Sequence, residues 1–357
     1  MAYIAPQTHV TPLCTIRRER LLPVLGDVLV RANQKVEALD VVARAAVAPH
    51  HYVVDVGRFL GLPASKVDRY VTRKPGDDVK RGTLVAARHT ALGLQSKVAR
   101  APGAGTVVST TGGRVVIEAP REALEVRAGI PGVVVSLNPG LGVMVETAGA
   151  LIQGVWGSGG LDFCVMHVLA ETRNDPLRAE AVTVSHRGAI VIAGGGADAE
   201  ALRKAGANRV KGIVLGSLDP DLVPLARSLD CPVMITDGFG HLAMSAPAFA
   251  LIKSNAGREA ALDAKPADRF EGWQPEMVIP LPAPSQSPPL PPEGEPLLPG
   301  KRVRALRAPY AGAVGTINAL LEEDVEMPSG VRAPAARVDL KDIGPATIPF
   351  ANLEILE

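Results

Sequence analysis

The sequence has little aromatic content and few cysteines. Only 3% of the 357 residues are Phe, Trp or Tyr, although 47% are hydrophobic, so the cores must be built from Val, Ala, Leu and Ile. Cys14, Cys164 and Cys231 are isolated and odd in number, which argues against a disulfide framework and a zinc knuckle. No apolar run reaches the roughly 18–20 residues of a membrane span, and the N-terminus lacks a signal-peptide pattern. We therefore expect a soluble protein without a transmembrane segment, in a reducing cytoplasm.

Motifs of common catalytic and metal sites are also missing. The nucleophile elbow G-x-S-x-G is absent, so His241 near Asp237 and Ser245 lacks the frame that a catalytic serine needs. His50 and His51 are adjacent, and neighbouring residues of a strand point to opposite faces, which hinders joint binding of one ion. These absences predict no catalytic residue, no metal and no cofactor, and they favour a protein that is not an enzyme.

The charge is distributed unevenly, although the net charge is only +1. Residues 1–130 contain 19 Lys/Arg and 11 Asp/Glu, residues 131–299 contain 12 and 18, and residues 300–357 contain 7 and 8. A basic N-terminal third favours an anionic partner such as nucleic acid, an acidic protein or a membrane surface. The alternative is a solvated surface that is offset by the acidic middle of the chain.

Short Val-rich segments that alternate with turn residues predict an all-β region after an irregular arm at residues 1–20. One pattern occurs twice, because residues 36–43 align with residues 79–86, 43 residues later. Residues 107–118 and 134–146 predict two similar hairpins, the second with one extra residue. A helix is predicted over residues 63–70, where Pro lies near the start.

The turn at residues 76–82 and the Ala-Pro-Gly-Ala-Gly-Thr-Val run at residues 101–107 resemble biotinyl/lipoyl domains. Residues 79–118 are similar to the second half of such a barrel-sandwich hybrid. In that family the lysine that carries the cofactor stands on a hairpin before the Ala-Pro pair, where this sequence has Leu94, and Lys97 is out of register. The resemblance therefore implies an unmodified barrel of the kind that serves as a docking module in larger complexes.

The middle of the chain has a different pattern. Apolar runs at residues 189–193, 210–215 and 232–236 are separated by helical stretches, and a last helix is predicted over residues 246–262. This alternation predicts βαβ crossovers and a small parallel sheet.

Ligands of such sheets bind beyond the carboxyl ends of the strands. The candidate residues there for a phosphorylated ligand or nucleotide are Gly194, Gly195, Gly196, Ser217, Asp219, Asp237 and Gly238. The glycines lack the G-x-G-x-x-G spacing and a P-loop lysine. The alternative is that Asp198 and Asp219 cap helices and that the glycines form tight turns.

The C-terminal part begins with a proline-rich segment. Nine prolines between residues 280 and 299 predict an extended linker that joins neither a sheet nor a helix. Residues 300–317 resemble a KOW motif, and residues 348–356 resemble the last strand of an SH3-like barrel. The resemblance implies contacts with RNA or with ribosomal or transcription components, through the candidate residues Lys301, Arg302, Arg304, Arg307 and Tyr310. The alternative, which the net charge of −1 over residues 300–357 favours, is a generic SH3-like module that binds protein or packs within the chain.

The sequence thus predicts a bacterial-type, multidomain, mainly β protein. Its predicted parts are the arm (1–20), a barrel-sandwich-hybrid region (21–165), a small α/β domain (166–277), a Pro-rich linker (278–299) and a KOW/SH3-like barrel (300–357). The predicted function is non-catalytic docking or assembly in a protein complex, with RNA, the ribosome or RNA polymerase as the partner. The alternative is an enzyme or accessory subunit that binds a phosphorylated small ligand or nucleotide at the α/β strand ends.

Overall fold

The chain is mainly β, with its strands arranged in several sheets, as the sequence predicts. The computed structural model describes residues 4–5, 7–46, 49–89, 96–120, 123–268, 273–282, 288–291, 295–310, 312–341 and 343–356. Leu94, the position of the expected acceptor lysine, lies outside the described residues. In the described part of the chain no helix is long and apolar enough to cross a membrane.

The first half of the chain contains strands and one short helix. Before residue 50 lie β1 (Ile4–Ala5), β2 (Gln7–Thr8), β3 (Val10–Leu21), β4 (Asp27–Val28), β5 (Lys35–Val36) and β6 (Val41–Ala46). The next segment contains β7 (His51–Asp55), α1 (Val56–Leu60), β8 (Asp78–Val79), β9 (Leu84–His89), β10 (Ser96–Arg100), β11 (Gly105–Ser109) and β12 (Arg114–Glu118). It is followed by β13 (Ala123–Arg127), β14 (Gly132–Asn138), β15 (Gly142–Gln153), β16 (Trp156–Gly157) and β17 (Leu161–Val168).

The second half begins with strands that alternate with helices and continues with strands alone. The α/β part consists of β18 (Ile190–Ile192), α2 (Ala199–Ala207), β19 (Gly212–Leu218), α3 (Val223–Arg227), β20 (Val233–Phe239), α4 (Ala246–Ser254), β21 (Glu259–Asp263) and β22 (Glu276–Pro280). The remaining strands are β23 (Glu295–Pro296), β24 (Arg302–Ala305), β25 (Val314–Leu320), β26 (Val325–Glu326), β27 (Arg332–Ala333), β28 (Ala335–Leu340), β29 (Gly344–Pro349) and β30 (Leu353–Leu356).

The repeat in the sequence is a repeat in the structure, and one copy is inserted into the other. Strands β6 and β13 pair antiparallel, with Ala46 opposite Ala123. The chain therefore leaves the first copy after Ala46 and re-enters it at Ala123, directly beside that residue. We call residues 51–118 the inner module, and residues 22–46 with 123–146 the outer module. The pairing of β8, β11 and β12 in the inner module matches that of β5, β14 and β15 in the outer module.

The two copies share individual backbone hydrogen bonds. Thr72 N–H donates to Val85 O at 2.8 Å, and 43 residues earlier Leu29 N–H donates to Val42 O at 2.9 Å. A further set pairs Gly76 with Val107 and Asn33 with Val134, in each case at 2.7 Å between N and O. Gly76 and Asn33 both have positive φ, at 96° and 63°, which Gly and Asn tolerate better than other residues. The shared turn is therefore encoded by the sequence of each copy.

In the central sheet ten strands pair side by side in the order β16-β20-β19-β18-β17-β21-β22-β15-β14-β5. An additional strand, β3, pairs with β15. Strands β17, β18, β19 and β20 are parallel neighbours, which confirms the predicted small parallel sheet. Helices α2 and α3 pack on one face, and α4 packs on the other. Apolar residues therefore cover both faces, as expected for strands without a solvent-facing side.

The C-terminal sheet has the strand order β2-β30-β24-β25-β28-β29. Alternate residues of β25 and β28, including Ile317, Ala336 and Val338, point into its own apolar core. The N-terminal strand β2 adds in parallel to β30. Both ends of the chain therefore meet in this sheet.

Several predicted segments differ in the structure. The predicted irregular arm contains the twelve-residue strand β3, which pairs with β15 almost along its whole length. The predicted boundary at residues 165/166 falls inside β17. The helix predicted over residues 246–262 ends at Ser254, because residues 259–263 pair as β21 with β17. Residues 63–70 form two short 3-10 turns.

The proline-rich segment also takes part in sheet structure. Residues 276–280 are β22, and Glu295–Pro296 pairs with β1. Pro289 O accepts a hydrogen bond from Thr15 N–H at 3.0 Å. Proline lacks an N–H but keeps its carbonyl acceptor, so the segment can line a sheet edge. The prediction that it joins no sheet was therefore wrong for these residues.

Twin glycines allow a test of the repeat. A Cβ at Gly105 would lie 2.2 Å from Glu118 O, and a Cβ at Gly132 would lie 2.2 Å from Glu146 O. We expect Gly105→Ala and Gly132→Ala each to lower the free energy of unfolding by about 1–3 kcal/mol, because the strands must separate to admit the methyl group. Denaturant unfolding measures the effect. The exposed neighbour change Ala104→Ser should stay within about 0.5 kcal/mol, and equal stability of all three variants would contradict the shared geometry.

Candidate functional site

The residues predicted to bind a ligand do come together, but the chain itself occupies the space between them. Gly195 N–H donates to Asp175 O at 2.8 Å, and Gly216 N–H donates to Gly195 O at 3.0 Å. A Cβ at Gly194 would lie 2.5 Å from Thr172 O. Ser217 is fully buried, and its hydroxyl exchanges hydrogen bonds with the backbone of Leu242 at 2.8 and 3.0 Å.

The acidic residues of this set have structural partners. Asp198 accepts from Ala201 N–H at the start of α2, and Asp219 accepts from Asp221 N–H at the start of a 3-10 turn. The helix-capping alternative from the sequence is therefore confirmed for both residues. At Gly238 an added Cβ would lie 3.0 Å from Leu242 Cδ1. The loop that contains Leu242 thus covers the carboxyl ends of β19 and β20.

A buried ion network joins this edge of the central sheet to the C-terminal sheet. Arg304 Nη1 donates to Asp237 Oδ1 at 2.8 Å, and its Nε and Nη2 donate to Glu354 Oε2 at 2.9 and 2.7 Å. The side chains of Arg304, Asp237 and Glu354 are 3%, 9% and 4% exposed. Burial opposes the charge of Arg304, but Glu354 and Asp237 outweigh it and raise the pKa of the guanidinium. Thr8 also donates to Glu354, and Ser245 N–H donates to Asp237 at 2.9 Å.

The KOW-like candidate residues do not form a free basic cluster. Arg304 is part of the buried network, and Lys301 forms an ion pair with Glu295. Tyr310 packs against the apolar core of the C-terminal sheet. Only Arg302 and Arg307 of the five candidates are exposed. The sequence pattern missed these partners because Asp237 and Glu354 lie far away along the chain.

A cleft and two cysteines lie apart from these candidate residues. A cleft of about 380 Å³ lies between residues 158–162 and 229–232, and Lys211 Nζ lies 3.0 Å from Asp162 Oδ2 beside it. Burial raises the pKa of the Cys231 thiol to about 11 and that of the Cys164 thiol to about 12. Both thiols are therefore protonated at neutral pH and are poor nucleophiles. Across the described ranges no three or more His, Cys, Asp or Glu side chains are grouped to hold a metal ion.

The inner module carries the positive charge of the N-terminal third. Residues 51–118 contain eleven Lys/Arg and five Asp/Glu, whereas the outer module with the rest of β15 (22–46 and 123–153) contains four and five. Among the described residues no carboxylate lies within 4.0 Å of any of the eleven cationic groups. A net charge of this sign without carboxylate partners produces a positive potential over the surface.

Two of these cations face each other across a hairpin. Arg88 in β9 is directly opposite Lys97 in β10, a like-charge arrangement that destabilises a sheet. Arg88 Nη1 lies 3.4 Å from Leu60 O at the end of α1, and a Cβ at Gly61 would lie 3.0 Å from Lys97 Nζ. Both cations therefore extend toward the last turn of α1.

The outer module has apolar residues at the same two positions. The register of β6 with β13 places Ala45 opposite Leu124, and these two residues pack with Leu22 in a small apolar cluster. The same backbone arrangement therefore forms without cations. The two copies align over residues 36–43 and 79–86, and the difference lies two residues beyond this alignment, at Ala45 and Arg88.

Comparisons with known proteins do not assign a family. No protein-family model matches the chain, and no curated protein matches it significantly in sequence.

The Arg304 network predicts a stability effect rather than a binding effect. We expect Arg304→Met to lower the free energy of unfolding by about 3–5 kcal/mol, because it leaves Asp237 and Glu354 as buried, unpaired carboxylates. Denaturant unfolding of the full chain measures this. The exposed neighbour change Arg302→Met should stay within about 0.5 kcal/mol. An Arg304→Met protein of unchanged stability would contradict the structural role of the network.

Proposed function

We propose that this protein is a non-catalytic docking protein whose inner module contacts an anionic partner. The observation that supports this most directly is the difference between the two copies of the repeat. They share strand pairing and turns, but only the inner copy has an excess of cations without carboxylate partners. An excess of surface cations without carboxylate partners favours an anionic partner.

We also propose finer assignments for the two β-rich parts. The nested modules would be unmodified barrel-sandwich hybrids, and the C-terminal sheet would be an SH3-like barrel with a KOW motif. The support is the resemblance at residues 76–82, 101–107 and 300–317, together with the antiparallel pairing of β24, β25, β28 and β30. The KOW-like resemblance favours a component of the transcription or translation machinery as the partner.

The rival function, a small-ligand site at the α/β strand ends, loses support from the packing there. The hydroxyl of Ser217 and the carboxylate of Asp237 already have hydrogen-bond partners within the chain. Leu242 and Gly312 approach each other at the same edge, where a Cβ on Gly312 would lie 2.9 Å from Leu242 Cδ1. A phosphorylated ligand would therefore have to displace the C-terminal sheet.

A charge-reversal variant tests the docking function. We expect Lys74→Glu, Lys80→Glu and Arg81→Glu together to weaken the salt-sensitive co-purification of the native partner, because all three side chains are exposed cations that contribute to the positive potential of the inner module. The measurement is quantitative mass spectrometry of complexes isolated from the native host.

The matched control changes three exposed cations outside that module, Arg187→Glu, Arg203→Glu and Lys204→Glu, and should retain the partner. Equal recovery of the partner by both triple variants would contradict docking through the inner module. A thermal shift with nucleotides or phosphate compounds that Asp237→Ala removes, in a variant shown to be folded, would favour the rival.

A further inference from the structure

We propose that the inner module binds single-stranded nucleic acid on the surface formed by Arg58, Phe59, Arg88 and Lys97. We call this surface the α1–β10 face. The inference rests on the proposed function, because it identifies the anionic partner of the inner module. It goes further by naming the residues and the chemistry that distinguish a nucleic acid from an acidic protein.

The positions of the cations on this face suit contacts with phosphate groups. Arg88 and Lys97 are cross-strand neighbours that point toward the end of α1, and Arg58 is an exposed residue of the same helix. The cross-strand pair Arg88 and Lys97 repel each other when no anion is present. A chain of phosphates removes this repulsion and releases its own condensed counterions on binding.

Phe59, which follows Arg58 in helix α1, gives the same part of the inner module an exposed aromatic group. Its side chain is 57% exposed, in a chain with only six phenylalanines, and it lies outside the apolar core of the module. An exposed aromatic ring beside cations is the arrangement on which unpaired bases stack while the backbone follows the charges. An acidic peptide would use the cations but would gain little from the ring.

The geometry favours a single strand over a duplex. Stacking on Phe59 requires a base whose face is open, which a paired and stacked base does not offer. Helix α1 has five residues, which is too short to read a major groove in the manner of the helical DNA-binding motifs. The α1–β10 face therefore suits an extended single strand that runs across β9 and β10.

The outer module shows that the pairing of these two strands does not require the two cations. Its residues at the positions of Arg88 and Lys97 are Ala45 and Leu124, which pack against Leu22. The double change Arg88→Ala with Lys97→Leu therefore gives the inner module the residues of its twin. It removes the proposed phosphate contacts while retaining a pair that the same strand geometry accommodates.

The test is fluorescence anisotropy with the full-length protein and labelled oligouridylate or oligothymidylate of about 16 nucleotides, the upper site size of a small binding domain. For Arg88→Ala/Lys97→Leu we expect the slope of log affinity against log salt to become shallower by about 1.4, since each phosphate contact on a single strand contributes about 0.7. For Phe59→Ala we expect roughly tenfold weaker binding with an unchanged slope, because a stacking contact is lost.

The matched control is Arg203→Ala/Lys204→Leu on the exposed face of α2, which removes the same charge and should bind like the wild type. Melting temperatures confirm that every variant is folded. Binding of either oligonucleotide with these variant effects supports the proposal, whether RNA or DNA is preferred.

Two outcomes would overturn it. In the first, polyglutamate binds as tightly as the oligonucleotides and Phe59→Ala has no effect, which identifies an acidic protein as partner and leaves the docking function intact. In the second, neither the oligonucleotides nor polyglutamate nor heparin binds, so the nucleic-acid assignment and the docking function fail together.

Discussion

The pairing of one long strand determines how the whole molecule is assembled. β15 pairs with β3 along one edge, and its other edge pairs first with β14 and then with β22. The outer module and the central sheet therefore share a continuous hydrogen-bonded ladder. Arg18 with Glu276, and Arg20 with Asp263, form ion pairs with little exposure beside it. Burial opposes the charge of Arg18, but Glu276 outweighs it and raises the pKa of the guanidinium.

The two copies of the repeat differ in how they are connected to the central sheet and in their charge. The outer copy is continuous with the central sheet and is nearly neutral. The inner copy is inserted between β6 and β13 and is basic. In the C-terminal part of the chain, the Arg304 network holds the C-terminal sheet over the carboxyl ends of the parallel strands. The edge where α/β proteins usually bind ligands is therefore used for packing, and the accessible charge lies on the inner module.

Much of the local structure could be predicted from the sequence, but long-range pairing could not. The repeat at residues 36–43 and 79–86, and the strands near Ile190, Ile213 and Val233, have local signals in turn residues and apolar runs. The long strand β3 was missed because its partner lies more than a hundred residues away. The burial of Arg304 was missed for the same reason, since a cluster of cations in sequence does not reveal carboxylates contributed by distant strands.

We propose that this protein binds its partner through the inner module. Hydrogen–deuterium exchange of the full-length chain, with and without a saturating single-stranded oligonucleotide, distinguishes this surface from the others. We expect slower exchange of backbone amides in residues 56–62 and 84–89 and in β10, with no change in the equivalent outer strands β6 and β13. Protection confined to residues 301–310 of the C-terminal sheet, or to the strand ends near Gly194 and Asp237, would contradict it.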